Sequence, residues 1–248
     1  MKKHLVAAML IAAASLTACS NGQKNSPATV DRSAFIERAG RLDVSLLRLS
    51  EADFSAYKTP EALAADRPIV LAGVIDGWQQ GPATETYTNG PLGYRVILRI
   101  RITEPLKGVK GTRSLAPGVA YIALDQGAVT QNDSEPADEW IPEKSVADFE
   151  KAMPTGTRIL AYPREMPQDA LAGATRITGD RLPRGARLMT VPPQGLVLED
   201  PTLAKQRAAN QTALVGGREP LATGGAGWYE AKTMDELIGR LKAHGYSE

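Results

Sequence analysis

Reactive side chains are scarce in this sequence. Its 248 residues include one cysteine, Cys19, and two histidines, His4 and His244, and only 5% of them are aromatic. A single thiol cannot form an internal disulfide, and the cysteine and histidine clusters that hold zinc are absent. A serine–histidine–aspartate triad would have to use His244, which lies near the end of a predicted helix, where an imidazole more often caps carbonyl groups.

The net charge is also close to zero. The chain has 29 basic and 28 acidic residues, which gives a formal charge of +1. Such a balance provides no long-range attraction to nucleic acid or to an anionic bilayer. We therefore predict no nucleic-acid partner, and any electrostatic partner must be recognised by a local patch.

The N-terminus follows the plan of an export signal. Lys2 and Lys3 precede an apolar stretch, residues 5–18, whose 14 residues are too few to span a bilayer. The stretch ends in the run LTAC, which matches a lipobox position by position, and the N-terminus resembles that of bacterial lipoproteins. The resemblance implies a signal peptide at residues 1–18 and cleavage before Cys19.

In that family the cysteine thiol becomes a thioether to diacylglycerol and the new amine is commonly acylated, for instance with palmitate. Each buried methylene stabilises membrane binding by about 0.8 kcal/mol, so two or three chains anchor a protein durably. Cleavage would remove Lys2 and Lys3 from the 29 basic residues, leaving 27 against 28 acidic ones. In Gram-negative lipoproteins an aspartate after the cysteine favours retention at the inner membrane; here that residue is Ser20, which permits export to an outer membrane if the host has one. We expect an envelope protein anchored by lipid on the extracytoplasmic side.

Two regions follow the signal peptide. Residues 19–30 are mostly polar, and we predict a flexible tether whose root-mean-square reach is about 20 Å. Residues 31–248 show neither a repeat nor a break in composition, which predicts one domain.

The pattern of apolar residues predicts a mainly β domain. Residues Tyr94 to Thr103 alternate between apolar and mostly cationic positions, as in an antiparallel strand with one buried face. Before it, the run from Ile69 to Ile75 predicts a strand that ends at Asp76-Gly77. Further strands are predicted at 119–124, 158–162, 186–191 and 195–198. Short strands between Gly and Pro turns are typical of a barrel or a sandwich.

Three short helices complete the prediction. Thr59 and Ser145 are suitable N-caps for helices over residues 60–65 and 146–153. The clearest helix spans 233–244. Its amphipathic face is formed by Met234, Leu237, Ile238 and Leu241, it begins with a capping box at Thr233, and it ends at Gly245.

The middle of the chain resembles a group of poorly characterised bacterial lipoproteins with a small barrel, and also netrin-like barrels of the OB type. The resemblance covers residues 67–163 and is carried by "IVLAGVIDGW", "YRVILRIRITEPLKG", "YIALDQG" and "GTRILAYPR", in that order. It implies an OB or netrin-like β-barrel. Netrin-like domains are usually cross-linked by disulfides. A chain with one cysteine has no internal disulfide, so the inhibitory functions of netrin-like domains do not carry over to it.

The strongest candidate binding site is a row of arginines. Arg95, Arg99 and Arg101 share one side of the predicted strand at 94–103, where guanidinium groups can hold phosphate or carboxylate in bidentate fashion. The functional interpretation is a platform for anionic envelope polymers or lipid headgroups. The alternative is an ordinary solvated sheet face.

Two further clusters have weaker patterns. Asp133, Glu135, Asp138 and Glu139 could offer oxygens to calcium, but they lack the spacing of a known calcium loop and fit an exposed connection. The glycine-rich segment 216–227 lacks the strand and helix that a phosphate-binding loop requires, and we interpret it as a connection.

Together these observations favour a noncatalytic binding or scaffold module whose partner is an unidentified envelope protein or anionic polymer. The alternative is a metal-independent envelope hydrolase that uses acidic residues, although no pair of carboxylates is singled out by spacing. The sequence predicts no catalytic residue, no metal site and no cofactor.

Overall fold

Two long antiparallel strands organise the fold. In the computed structural model, which describes residues 42–48, 53–85, 87, 90–115, 118–129, 141–167, 175–176, 179–206 and 212–248, these strands are β1 (Val70–Glu85) and β2 (Leu92–Lys107). The predicted strand at 94–103 lies within β2. The prediction that the first strand ends at Asp76-Gly77 is wrong, because β1 continues through this pair in a bulge opposite Arg99.

Nine shorter strands are described after these two. They are β3 (Val119–Asp125), β4 (Ala128–Val129), β5 (Ile141–Pro142), β6 (Arg158–Ala161), β7 (Arg164–Glu165), β8 (Thr175–Arg176), β9 (Leu188–Thr190), β10 (Leu196–Glu199) and β11 (Leu214–Gly216). The strands predicted in β3, β6, β9 and β10 are confirmed. β4 and β5 form a separate pair, and the other nine strands form one sheet.

The pairing pattern requires that the large sheet curl. Its order is β11-β10-β6-β1-β2-β3-β9-β7, with the ninth strand, β8, paired to the far end of β1, so β6 and β7 lie far apart along the sheet. Only Tyr162 and Pro163 separate them in the chain, which is a reach of about 10 Å. In the same way, residues 191–195 join β9 to β10, and the Tyr162 amide donates to the Gly195 carbonyl at 3.0 Å. The sheet therefore bends into a barrel-like layer, and the prediction of a mainly β, barrel-class fold is confirmed.

The helices in the described ranges are short and have polar caps. They are α1 (Pro60–Asp66), α2 (Val146–Ala152), α3 (Pro201–Gln206) and α4 (Met234–Ala243). Thr59 accepts from the Ala62 amide at the start of α1, and Ser145 and Asp148 form a reciprocal capping box at α2. At α4 the Thr233 hydroxyl accepts from the Glu236 amide, whereas the Glu236 carboxylate accepts from the Lys232 amide.

Two apolar cores lie on opposite sides of the sheet. The inner core collects residues from β1, β2, β3, β6, β9 and β10, together with Leu42 and Leu47 from the N-terminal part of the described chain. The outer core packs α1 and α4 against β1, β6 and β10. Asp200, which is 1% exposed, accepts from the Leu42 amide at 3.1 Å and so fixes the N-terminal segment to the end of β10.

Candidate functional site

The predicted arginine row lies on β2. Arg95, Arg99 and Arg101 occupy alternate positions, so their side chains leave the strand on the same face. The Arg101 side chain is 51% exposed and that of Arg99 is 35% exposed, while Arg95 is half-buried. The opposite face of the strand carries Val96, Leu98 and Ile100, which are fully buried in the inner core. Packing of that apolar face therefore directs the three arginines outward.

Asp76 is the acidic neighbour of the row. The bulge in β1 turns its carboxylate toward β2, where Arg101 donates to Oδ1 from Nε, at 3.1 Å, and from Nη2. Arg99 Nη2 lies 3.7 Å from Asp76 Oδ2 and donates to the Asp76 carbonyl at 3.3 Å. Gly77 leaves room for this arrangement: its φ is +151°, and a Cβ at this position would lie 2.5 Å from Arg99 Nη2.

Arg95 lies at the other end of the row, and its guanidinium has no hydrogen bond or ion pair among the described residues. Nε of Arg95 and Nε of Arg99 are both buried without a hydrogen-bond partner in this part of the chain. The backbone around Arg95 is held firmly, because Gln80 Nε2 donates to its carbonyl at 3.1 Å and also pairs with the Gln126 amide. Buried donors are nearly always satisfied in folded proteins, so these two Nε atoms are exceptions within the row, and the guanidinium of Arg95 is the one whose charge has no internal partner among the described residues.

The outer face of β2 is less exposed than the sequence suggests. Ile97 lies between Arg95 and Arg99 and is only 2% exposed, because a third cluster of buried residues covers it. Part of this cover comes from Leu182 and Ala186, which belong to residues 179–187, hereafter the crossing segment. The outer face of β2 is therefore not fully solvated: it carries a row of cationic side chains, and Ile97 at the centre of this row is covered.

The crossing segment brings more arginines that sequence reasoning missed. Arg181, Arg184 and Arg187 are exposed, and they flank the two residues that pack on the sheet. Their spacing in the run "RLPRGAR" was the only signal in the sequence, and nothing there places this run beside β2.

Within the described residues, the glycine-rich segment and His244 do not form a comparable site. The glycine-rich segment 216–227 contains two 3-10 turns and lines a shallow groove of about 610 Å³ together with Lys58 and Thr59. Trp228 is buried beneath this groove, whereas Tyr229 is 38% exposed. The acidic cluster at 133–139 lies outside the described residues. His244 ends α4, and its Nδ1 lies 2.9 Å from the Arg240 carbonyl.

Several acidic side chains are engaged in structural contacts. Glu61 pairs with Arg240 at 2.8 Å, and Glu199 pairs with Arg158 at 3.0 Å. The pKa of Asp43 is lowered chiefly because its carboxylate accepts a hydrogen bond from Ser45. Within the described ranges no group of three or more histidine, cysteine, aspartate or glutamate side chains is close enough to hold a metal ion.

A search of the helices in the described ranges finds none that is both long and apolar enough to cross a bilayer. Comparison of the chain with protein-family models, with curated proteins and with solved structures gives no match.

Proposed function

We propose that this chain is a lipid-anchored extracytoplasmic protein of the bacterial cell envelope and acts as a noncatalytic binding or scaffold module. Its ligand carries phosphate or carboxylate groups, which Arg95, Arg99 and Arg101 bind. The lipid on Cys19 holds the protein at the membrane, and the tether of residues 19–30 gives the domain access to envelope polymers. Bidentate guanidinium contacts supply specificity for planar or tetrahedral anions.

The observation that carries the binding proposal is the guanidinium of Arg95, which has no hydrogen bond or ion pair among the described residues and lies on the same outer face of β2 as Arg99 and Arg101. Arg95 can bind an anion without losing an internal contact in this part of the chain. The ion pairs of Glu61 with Arg240 and of Glu199 with Arg158 favour this function over a hydrolase, because these half-buried carboxylates already have cationic partners.

We also propose an OB or netrin-like barrel type. Its support is the strand pairing, since β3 pairs with β9 in parallel and the other ladders are antiparallel. Helix α2 lies in the chain between β3 and β6, as the resemblance implies. The amphipathic character of α4 is supported by Met234, Leu237, Ile238 and Leu241, which are all buried while the residues between them include exposed acids.

The binding proposal is tested with the full-length chain in a neutral detergent, applied to phosphocellulose and eluted with salt. The variant Arg95→Gln/Arg99→Gln/Arg101→Gln should elute at a lower salt concentration than the wild-type protein. The matched control is Lys58→Gln/Lys151→Gln/Lys205→Gln, which removes three exposed charges elsewhere. If the arginine variant and this control elute together, the row is not an anion site.

The anchor is tested separately by metabolic labelling with a palmitate analogue. We expect label in the wild-type protein and none after Cys19→Ala. Label that is absent from the wild type, or that persists in the variant, contradicts the lipid anchor.

A further inference from the structure

The crossing segment is fixed across the outer face of the sheet at both ends. At its start Gln79 Nε2 donates to the Asp180 carbonyl at 3.3 Å, and Gly179 lies so close to β1 that a Cβ would be 1.9 Å from the Gln80 carbonyl oxygen. At its end the Arg187 amide donates to the Ser114 carbonyl at 3.1 Å. The arginines on this segment therefore have defined positions relative to β2.

Strand register places the start of this segment beside the β2 row. Gln79, which binds the start of the segment, is the direct partner of Ile97 on β2, so Arg181 lies close to the point between Arg95 and Arg99. At the other end, Leu188 is joined to Arg99 through Tyr121 on the intervening strand, and two strand spacings amount to about 10 Å. Arg187 itself pairs with Glu165, whose register partner Met189 belongs to the inner core, so Arg187 turns to the other side of the sheet. Arg181 and Arg184 therefore share the outer face with the β2 row.

This shared face has an excess of positive charge. Its acids are Asp76, Asp125 and Asp180, of which Asp76 is bound by two arginines and Asp125 is the register partner of Arg95. Arg181 and Arg184 are exposed and have no ion pair among the described residues. The five arginines of the face therefore exceed its three acids, and three of them, Arg95, Arg181 and Arg184, have no ion-pair partner in the described part of the chain.

We propose that the crossing segment and the β2 row form one binding site for a linear phosphate polymer. This inference rests on the proposed anion-binding function and names its ligand class. A polymer can contact exposed arginines on the segment and also reach the half-buried guanidinium groups of Arg95 and Arg99 on either side of it. A flat bilayer meets Arg181 and Arg184 first, because the segment lies one layer outside β2.

The test uses full-length protein in neutral detergent and fluorescently labelled inorganic polyphosphate, with affinity measured by anisotropy between 50 and 200 mM salt. The variant Arg181→Gln/Arg184→Gln removes two exposed side chains with no internal partner, so it should fold normally; a thermal melt checks this. Its control is Lys58→Gln/Lys205→Gln. Short-chain phosphatidylglycerol below its micelle concentration serves as a competing lipid headgroup.

We expect the Arg181→Gln/Arg184→Gln variant to bind polyphosphate more weakly. Its log affinity should also fall less steeply with log salt, and the magnitude of the negative slope should decrease by about 1.4, taking about 0.7 for each phosphate that the protein no longer neutralises. Inorganic phosphate and phosphatidylglycerol should compete poorly. If this variant binds polyphosphate as tightly as the control, the crossing-segment site is overturned. If the Arg95→Gln/Arg99→Gln/Arg101→Gln variant still binds more weakly than the control, the proposed function remains in place. Competition by phosphatidylglycerol at the affinity of polyphosphate overturns the choice of ligand.

Discussion

Replacing Asp76 with asparagine should increase the affinity for anions. In the wild-type protein the Asp76 carboxylate binds Arg101 through two donors and approaches Arg99 to 3.7 Å, so it occupies the arginines that a ligand needs. Asparagine retains an oxygen acceptor but removes the charge. The freed guanidinium groups should then bind an external anion without first losing an internal one.

The exposure of Asp76, Arg99 and Arg101 sets the size of the expected changes in stability and in anion affinity. Asp76 is 23% exposed, Arg99 35% and Arg101 51%, so solvent screens these ion pairs and each contributes about 1 kcal/mol or less. Exposed pairs of this kind contribute about 0.2–1 kcal/mol each, so we expect Asp76→Asn to lower the free energy of unfolding by about 0.4–2 kcal/mol for the two pairs. A release of the same size on the binding side corresponds to about two- to thirtyfold tighter binding.

The assay is anisotropy of labelled polyphosphate, with unfolding followed in parallel. Asp53→Asn is the charge-matched control, because Asp53 is exposed and has no ion pair in the described part of the chain. If Asp76→Asn binds polyphosphate no more tightly than Asp53→Asn does, the Asp76 carboxylate does not compete with the ligand.

Three further substitutions test the structure around the site and the cores. Arg158→Met should lower the free energy of unfolding by about 3–5 kcal/mol in chemical denaturation, because it leaves the 10%-exposed Glu199 without its cation; a loss below about 1 kcal/mol would show that this pair is dispensable. Burial raises the pKa of Tyr162 well above its usual value, so the stability that depends on its neutral form is complete below about pH 10 and is lost as the pH rises toward the folded-state pKa. Tyr162→Phe removes a buried hydroxyl that has no hydrogen-bond partner among the described residues, so it should raise stability at pH 7 by about 1 kcal/mol and reduce the alkaline loss, whereas a destabilised variant would indicate a hydrogen bond to this hydroxyl. Gly77→Ala should displace the Arg99 guanidinium and weaken phosphocellulose binding; unchanged elution would mean that Arg99 does not contact the ligand.

Local patterns predicted the elements well where a single residue type or period decides the structure. The alternation at 94–103 identified β2, and Thr59 and Ser145 marked the starts of α1 and α2. Asp76-Gly77 misled the prediction because the same pair suits a turn or a bulge, and only the pairing of β1 with β2 decides between them.

The site was only partly predictable for the same reason. The row on β2 follows from period-two spacing, but the approach of Asp76 to Arg99 and Arg101 depends on the register of a neighbouring strand. The sequence does not predict the crossing segment, because Leu182 and Ala186 are isolated apolar residues in a polar run, and their partial burial depends in part on Ile97, Tyr121 and Ala123, which are more than 50 positions away in the chain.

The most direct test of the account is a single substitution, Arg95→Gln, because Arg95 is the member of the β2 row that has no ion-pair partner among the described residues. Its loss should leave the thermal stability of the full-length protein nearly unchanged. We expect weaker binding of inorganic polyphosphate and a decrease of about 0.7 in the magnitude of the negative slope of log affinity against log salt. Affinity and slope equal to those of Lys58→Gln would contradict the claim that the outer face of β2 binds anions.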